Sequence, residues 1–457
     1  MYCSRTETTQ RIGTSKLIEG ERDWETMKTK LSKKFWWTLV IFGLMGQIAW
    51  VVENMYFNVF VYKMFHASAA EISLMVGASA VAATVTTLLV GALSDQCGKR
   101  KVFICAGYIL WGFTILAFSL VRMDILQSFV SDVTAAASLG VSIVIVLDCV
   151  MTFFGSSAND ACFNAWLTDT GDETNRGQIE GVNSMMPLVA ILVVFGGFMS
   201  LDLEKSSSWN AIFWIIGGIV IIIGILGIFL IEERPIVKNS DGSYFKDIFY
   251  GFRPSIIRSN VVLYLTLVAF ALFGISIQTF MPYLILYYEQ TLHIDNYVLI
   301  MAPAIIIAAA ITAFYGRLFD QKGFLKSVVP SLLSLGIGYL LLFFFQQTIL
   351  VFLGSLCMMT GYLTGMAVFG AMIREYTPKE KTGLFQGLRI FSQVFIPGII
   401  GPAIGATVLK DADVIVNTDG TTSFLPEADI FIAAFAIIVV VFGFLFVMTK
   451  KRVYKAK

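Results

Sequence analysis

The side chains best suited to chemistry in this sequence are carboxyl and amide groups that lie within long apolar runs. One polar stripe repeats every four residues, close to one turn of a helix. Its members are Asp148, Thr152, Ser156, Asp160, Asn164 and Thr168, with Asn159 beside it. Because an apolar environment disfavours the charged form of a carboxyl group, Asp160 is the first candidate to bind and release a cation or a proton. Alternatively, it is a structural carboxylate that its polar neighbours or Arg389 satisfy.

A second group of polar residues shares one face of the first apolar run. Trp50 offers a flat apolar platform, and the Asn54 amide can hydrogen-bond hydroxyl groups, as a site for sugar rings or aromatic molecules requires. Glu53 adjoins this face and is the second candidate carboxyl group. It lies late in its run, so the alternative is that it sits at the boundary of the apolar layer.

The second half of the chain supplies fewer polar candidates. They are Gln278, Tyr283, Arg389 and Gln393. Gln278 and Tyr283 flank Pro282, where a kink is expected. Arg389 lies near one end of its run, where its long side chain can reach water or phosphate; the alternative is that it binds an acidic substrate or Asp160. Glu289 is expected to be a solvated residue at a rim.

Composition identifies the medium around these residues. Of 457 residues, 57% are hydrophobic and 14% are charged, with a mean hydropathy of +0.76; a soluble protein has about 25% charged residues. With two His and no zinc, Cys-x-x-Cys or phosphate-loop motif, the sequence gives no support for metallohydrolase, redox or ATP-driven chemistry. We expect no catalytic residue, metal ligand or cofactor, and a net charge of +1 gives no sign of nucleic-acid binding.

Apolar runs of roughly 20 residues are long enough to cross a bilayer core as helices. Twelve occur, near 35–61, 72–93, 102–121, 142–166, 178–200, 210–231, 260–287, 297–315, 327–346, 348–373, 384–409 and 430–449. The predicted fold class is therefore an all-α integral membrane protein with 12 transmembrane helices. An ionised side chain within such a helix costs at least about 2.5–3.5 kcal/mol, so the polar stripe is expected to line a cavity.

The basic residues predict the orientation of these helices. If the chain alternates sides from a cytoplasmic N-terminus, 29 of the 33 Lys and Arg residues fall on the cytoplasmic side. Such a bias predicts that both termini are cytoplasmic. Residues 1–34 contain no apolar segment of a signal peptide. We expect a monomeric multi-pass protein of the cell membrane, with the lipid bilayer and a small-molecule substrate as its partners.

The chain divides into two similar halves. The predicted segments are a cytoplasmic N-terminal segment 1–34, a six-helix bundle 35–231, a linker 232–259 with an amphipathic helix, a second bundle 260–449 and a tail 450–457. Related motifs start at Gly91 and Gly316, an offset of 225, and His66 and His293 end matching runs, an offset of 227. Parallel six-helix repeats are typical of secondary transporters, which bind substrate between the halves.

The motif after the second run reads Gly-Ala-Leu-Ser-Asp-Gln-Cys-Gly-Lys-Arg-Lys, from 91 to 101. It resembles the major facilitator superfamily loop Gly-x-x-x-Asp-x-x-Gly followed by three basic residues. The matching positions are Gly91, Asp95, Gly98, Lys99 and Arg100, and a weaker copy has Gly316, Asp320 and Gly323. The resemblance implies the major facilitator fold and a latch that closes the cytoplasmic side.

For this sequence, we expect Asp95 to dock on the start of the eleventh helix, near 383–386, and Asp320 on the start of the fifth, near 176–179. Each site is the positive end of a helix, which favours a carboxylate. The alternative is that these loops serve only the charge bias between the two sides.

A second resemblance concerns the stretch from Asp160 to Leu167 and the loop from Asp172 to Arg176. It is similar to the fourth helix and following loop of the glycoside–pentoside–hexuronide:cation symporters, the melibiose-carrier-like family. In that family the aspartate of this helix lies in the sugar and cation site. The second helix of that family usually carries further acidic residues, whereas residues 79–89 here contain none. Both H⁺ and Na⁺ therefore remain possible coupling ions.

Together these patterns predict a secondary active transporter rather than an enzyme. The expected mechanism is alternating access, with symport of H⁺ or Na⁺ and a small polar solute such as a sugar or glycoside. One alternative within the class is a proton-coupled exporter of drugs or lipids. An alternative from another class is a receptor or scaffold on this fold that transports nothing.

Overall fold

The computed structural model describes residues 31–171, 175–233, 250–294, 296–377, 387–417 and 420–450. Several expectations fall outside these residues: the first 30 residues, the amphipathic linker helix, the tail after 450 and the latch target 383–386. The side chains of Arg176, Glu180, Arg317 and Asp320 are also outside the described set.

Within the described residues, twelve helices are long and apolar enough to cross a membrane, as predicted. Numbered in chain order, spans 1 to 12 are Lys33–Phe65, Ala69–Cys97, Arg100–Leu120, Val133–Thr170, Gly181–Phe198, Ser206–Leu230, Val261–Thr291, Val298–Tyr315, Gln321–Phe344, Thr348–Tyr376, Gly387–Asp411 and Asp429–Lys450. The helix of span 5 begins earlier, at Arg176. Short helices at Met123–Leu126 and Pro254–Ser259 lie between spans.

Local sequence explains where several spans begin and end. Span 2 starts with a capping box, in which the Ser68 hydroxyl accepts from the Glu71 backbone N–H and the Glu71 carboxylate accepts from that of Ser68. It ends at Gly98, which has a φ of 66°. Gly323, the corresponding motif residue, has a φ of 74° near the start of span 9. A glycine adopts such angles without steric cost, so the two motif copies also share a backbone feature.

The spans pack as two six-helix groups that meet along two pairs. Spans 2 and 11 form one pair, and spans 5 and 8 form the other. Gly398 allows the first pair to approach closely, since a Cβ at that position would lie 2.5 Å from the Cβ of Ala80. This arrangement places spans 1, 2 and 4 of the first half beside spans 7 and 11 of the second.

A two-stranded antiparallel sheet precedes span 12, and the sequence reasoning did not predict it. Strand β1 is Val414–Val416 and strand β2 is Thr422–Phe424, with Ile415 opposite Ser423. We call the end of the bundle with this hairpin the hairpin end. The opposite end, which carries residues 91–101, is the motif end.

Candidate functional site

In the described part of the chain, four π-helical turns occur within spans 1, 4 and 11 and at the end of span 7, and each contains polar residues. The turns are Val52–Tyr56, Ser156–Phe163, Tyr287–Thr291 and Phe391–Phe395. Four of the sequence candidates lie in them, namely Glu53, Asn159, Asp160 and Gln393, and so does Glu289. Turns of this kind recur at functional sites in helices. Hydrophobic periodicity does not reveal them, because a single wide turn changes the pattern by only one residue.

Glu53 lies in a closed cluster of oxygen atoms from three spans. Its Oε1 is 2.7 Å from the Ser79 hydroxyl oxygen and 2.9 Å from that of Thr152, and the two hydroxyl oxygens are 2.8 Å apart. Glu53 is 7% exposed, and its Oε2 is buried without a hydrogen-bond partner. Glu53 is thus enclosed by protein rather than exposed at the surface of the bundle.

Asp148 is a buried carboxyl group that the sequence reasoning placed in the stripe but did not select as a site residue. It is 2% exposed, and its Oδ1 has no hydrogen-bond partner. Asp148 interacts electrostatically with Glu53 and also contacts the Ser79 hydroxyl. Ser79 was not selected either, because a serine on an apolar helix gives no signal until the fold brings a carboxylate to it.

Asp160 differs from these two acids because it is only half-buried. Its Oδ2 accepts a hydrogen bond of 3.0 Å from the Ser156 hydroxyl. One turn further along, Asn164 is exposed within span 4, although its amide donates to the Asp160 carbonyl. Among the described residues, no ion pair joins Asp160 to Arg389.

Asn159 lies in the packing of the first half, and its side chain also contacts the Asp160 carboxyl group. Its Oδ1 accepts from the Tyr108 hydroxyl at 3.2 Å, and the same hydroxyl lies 2.8 Å from the Phe42 carbonyl oxygen. Span 1 approaches Asn159 at Gly46, where a Cβ would lie 2.6 Å from Oδ1. This environment gives Asn159 a packing role in addition to any contact with a solute.

Trp50 and Asn54, the other candidates of span 1, have contrasting positions. The Trp50 ring packs on Trp111 with centroids 5.2 Å apart, and its buried indole also contacts the Asp160 carboxyl group. Asn54 is exposed, and its amide donates to the Trp50 carbonyl at 2.7 Å. A polar side chain exposed in the middle of a membrane helix is expected to face a water-filled cavity.

The second half places its candidates on spans 7 and 11. The Arg389 Nε donates to Gln393 Oε1 at 3.3 Å, so these two share a face, as their spacing predicts. Gln278 is half-buried where Gly401 approaches it, since a Cβ there would lie 2.5 Å from the Gln278 Cβ. Tyr283 is fully buried, and its hydroxyl lies 3.0 Å from the Ala69 carbonyl oxygen of the first half.

A buried ion pair joins the two halves at the hairpin end. The Lys63 Nζ lies 2.5 Å from Glu289 and 3.0 Å from Glu204. The side chains of Lys63 and Glu289 are 6% and 11% exposed, whereas Glu204 is 64% exposed. The expectation of a solvated rim for Glu289 is therefore wrong: the π-helical turn directs it into the interface between spans 1 and 7.

Further hydrogen bonds close the same end. The Tyr56 and Tyr297 hydroxyl oxygens are 2.8 Å apart between spans 1 and 8. Tyr62 donates to the Phe424 carbonyl of strand β2 at 2.6 Å, and the His66 Nδ1 lies 3.1 Å from the Ser423 hydroxyl. The hairpin thus covers the end of span 1, and the structure has its halves in contact at this end.

At the motif end, the latch residue Asp95 pairs within its own half. It forms an ion pair with Arg100, whose Nε also lies 3.1 Å from Asp169 Oδ2 and whose Nη1 is 2.5 Å from the Ser94 hydroxyl. Arg100 is 6% exposed. Gly91 approaches span 4 at Ala161, with its virtual Cβ 3.9 Å from that side chain. The residues that Asp95 was expected to reach lie outside the described part of the chain.

Comparison with known proteins gives a consistent picture. The sequence profile of the Major Facilitator Superfamily matches residues 35–402. No curated protein matches the sequence significantly. Among similar solved structures, the nucleoside transporter NupG is 14% identical with a TM-score of 0.64, over 91% of this chain and 98% of that one. The D-xylose-proton symporter is 12% identical with a TM-score of 0.67, over 90% of this chain and 96% of that one.

A bacterial homolog of the human lysosomal transporter Spinster, in an inward-facing and occupied conformation, is also similar. It is 14% identical with a TM-score of 0.67, over 92% of this chain and 98% of that one. At these identities the likeness concerns the fold alone. The profile match, in contrast, extends over most of the chain and includes the residues 91–101 that carried the resemblance. This chain belongs to the Major Facilitator Superfamily.

Proposed function

We propose that this protein is a secondary active transporter that works by alternating access and couples a small polar solute, such as a sugar or glycoside, to H⁺ or Na⁺. Three acidic side chains within the spans carry the proposal: Glu53, Asp148 and Asp160. Among the described residues, none of them forms an ion pair with a lysine or arginine. Isolated buried charges are unfavourable, so such a cluster favours binding of a proton or another cation.

The solute is proposed to bind between the halves. Asn54 and Asn164 are exposed within the spans of the first half, and Gln278 and Gln393 lie on the second half. Amide groups can both donate to and accept from hydroxyl groups. Asp160 is half-buried beside Asn164 and is the proposed link between the solute and the coupling ion. The known fold relatives include transporters named for a nucleoside and for D-xylose, which are small polar solutes.

The direction of the molecule in the membrane follows from the charge bias. We place both termini and the motif end in the cytoplasm and the hairpin end outside, with bundles 35–231 and 260–449 as the moving units of a monomer in the cell membrane. The structure, closed at the hairpin end, then corresponds to a state closed to the outside. Asp95 and Asp320 are proposed to latch the cytoplasmic side in the opposite state.

Counterflow in proteoliposomes tests this function. Vesicles loaded with one unlabelled sugar are diluted into the same labelled sugar, across a panel of glycosides, with Na⁺ or K⁺ and at several pH values. We expect transient accumulation of at least one glycoside, which a D160N variant reduces. S157A is the matched control on the same turn, because its hydroxyl donates only to the Phe153 carbonyl at 2.6 Å.

Two results would contradict the proposal. No exchange of any glycoside, together with export of a cationic dye, would identify an exporter. No exchange of glycosides, nucleosides or dyes by protein that remains folded would favour a receptor or scaffold.

A further inference from the structure

We propose that Glu53, Ser79, Thr152 and Asp148 form a proton-binding site, and that the coupling ion of this transporter is a proton. We call these four residues the oxygen cluster. The inference rests on the proposed function for its role in coupling, but the site itself can be tested without any solute. It also separates the ion site from Asp160, which lies three turns further along span 4.

The hydroxyl groups of the oxygen cluster have too few protons for its hydrogen bonds, which indicates that Glu53 is protonated. Three oxygen atoms, one each from Glu53, Ser79 and Thr152, lie 2.7, 2.9 and 2.8 Å apart. These are ordinary distances for O–H···O hydrogen bonds. A hydroxyl group has a single proton, so two hydroxyl groups supply only two of the three contacts. A proton on Glu53 supplies the third and completes a ring in which each oxygen donates once and accepts once. Because this ring uses the Ser79 proton, the further contact between Ser79 and Asp148 then takes its proton from Asp148.

The ionised alternative leaves two unfavourable features. If both hydroxyl groups donate to an ionised Glu53, the Ser79 and Thr152 oxygens face each other at 2.8 Å without a proton between them. In addition, Oε2 of Glu53 would be a charged oxygen that is buried without a donor. Protonation on Oε1 removes both problems, because Oε2 is then the carbonyl oxygen of a neutral acid, whose burial without a partner is much less unfavourable.

Asp148 gives a second, independent observation. Its Oδ1 is also buried without a partner, it contacts Ser79, and it is 2% exposed. Two carboxyl groups are thus enclosed in a site whose members are at most 9% exposed. The titratable groups nearby are Asp160 and Cys149 of span 4 and Tyr108 of span 3. None of these carries a positive charge that could hold both carboxylates ionised.

Infrared spectroscopy of the purified protein in lipid nanodiscs tests the site directly. The C=O stretch of a protonated carboxyl group is absent from a carboxylate, and the test follows it near neutral pH in Na⁺ or K⁺ buffers of equal ionic strength. We expect a band that E53Q removes, that S157A retains, and that Na⁺ does not change. T152V should shift the frequency of the same band, because it removes one hydrogen bond while keeping the side-chain shape.

The T152V shift keeps the test decisive if E53Q fails to fold. Absence of the band from the wild-type protein, or its loss on addition of Na⁺, would overturn the inference. The two proposals fail separately: the expected band without any solute counterflow leaves the proton site and removes the symport function. Na⁺-dependent counterflow without the band would support the symport function and refute the proton site.

Discussion

Replacing Lys63 with methionine should open the hairpin end of the protein. The Lys63 ammonium group lies between span 1 and the Glu289 carboxylate of span 7, and both side chains are buried. Methionine keeps most of the apolar stem but removes the charge. Glu289 then remains buried in the interface without the positive charge of Lys63, whereas separation of the halves allows water to reach it.

The structure gives the size of the effect. Breaking a buried ion pair by removing one partner costs about 3–5 kcal/mol. The lower value applies here, because Glu289 retains 11% exposure and the other partner, Glu204, is 64% exposed and remains hydrated. A penalty of about 3 kcal/mol for the closed state shifts an equilibrium by roughly 150-fold toward the open state.

Hydrogen exchange measured by mass spectrometry can follow this opening. The hairpin closes on the first half through the Tyr62 bond to Phe424 and the His66 contact with Ser423, so its amides should exchange faster when the halves separate. We expect K63M to accelerate exchange over residues 413–425 by up to the calculated factor.

K205M is the matched control for this experiment. Lys205 also forms an ion pair at the hairpin end, with Asp202, but the two side chains are 69% and 48% exposed. An exposed pair contributes only about 0–1 kcal/mol. The double variant K63M/E289Q should restore slow exchange, since it also removes the negative charge of the buried carboxylate. If exchange over the hairpin in K63M equals that in K205M, the ion pair does not hold this end closed.

Three further predictions concern packing and the motif end. G338A should lower the free energy of unfolding by about 1–3 kcal/mol, because the added Cβ would lie 2.4 Å from the Met358 backbone nitrogen. The control is G443A, where the added Cβ meets open space. Thermal denaturation in detergent should show no comparable loss of stability for G443A. D95N should leave folding intact, because Arg100 retains Asp169, but slow counterflow; an unchanged rate would remove the latch. D95N combined with D169N leaves Arg100 buried and unpaired, and should lower the thermal midpoint far more than either single change.

The sequence was sufficient for the twelve spans because a bilayer imposes one length and one polarity on every crossing. It also predicted the repeat, which the structure supports in detail: His66 and His293 both have positive φ angles, 54° and 51°, at the ends of matching helices. The hairpin was missed because its strands have three residues each, too short for an alternating pattern to be recognised.

The candidate site was less accessible to sequence reasoning, because its chemistry depends on contacts between spans. Glu53 and Asp160 could be recognised as acids in apolar runs. Ser79 can be recognised as a site residue only from the structure, in which span 2 brings its hydroxyl oxygen within 2.7 Å of Glu53. Likewise, Lys63 and Glu289 are 226 positions apart in the sequence, and each resembles a solvated residue at a helix end. The π-helical turn at Tyr287–Thr291 instead places Glu289 in the interface, in contact with Lys63.

Glu53, Asp148 and Asp160 differ in burial, which suggests that they have different roles in transport. Glu53 and Asp148 are enclosed by the first half, whereas Asp160 is half-buried beside the exposed Asn164. A group that carries a proton across the membrane must be closed to one side while it is open to the other, and in this state Glu53 is closed to both. A group that binds the solute must be accessible to it, and Asp160 is the least buried of the three acids. Glu53 also interacts electrostatically with Asp160, so a solute that screens the Asp160 charge would change the proton affinity of Glu53. By the reciprocity of coupled binding, the proton would then change the affinity for the solute by the same factor.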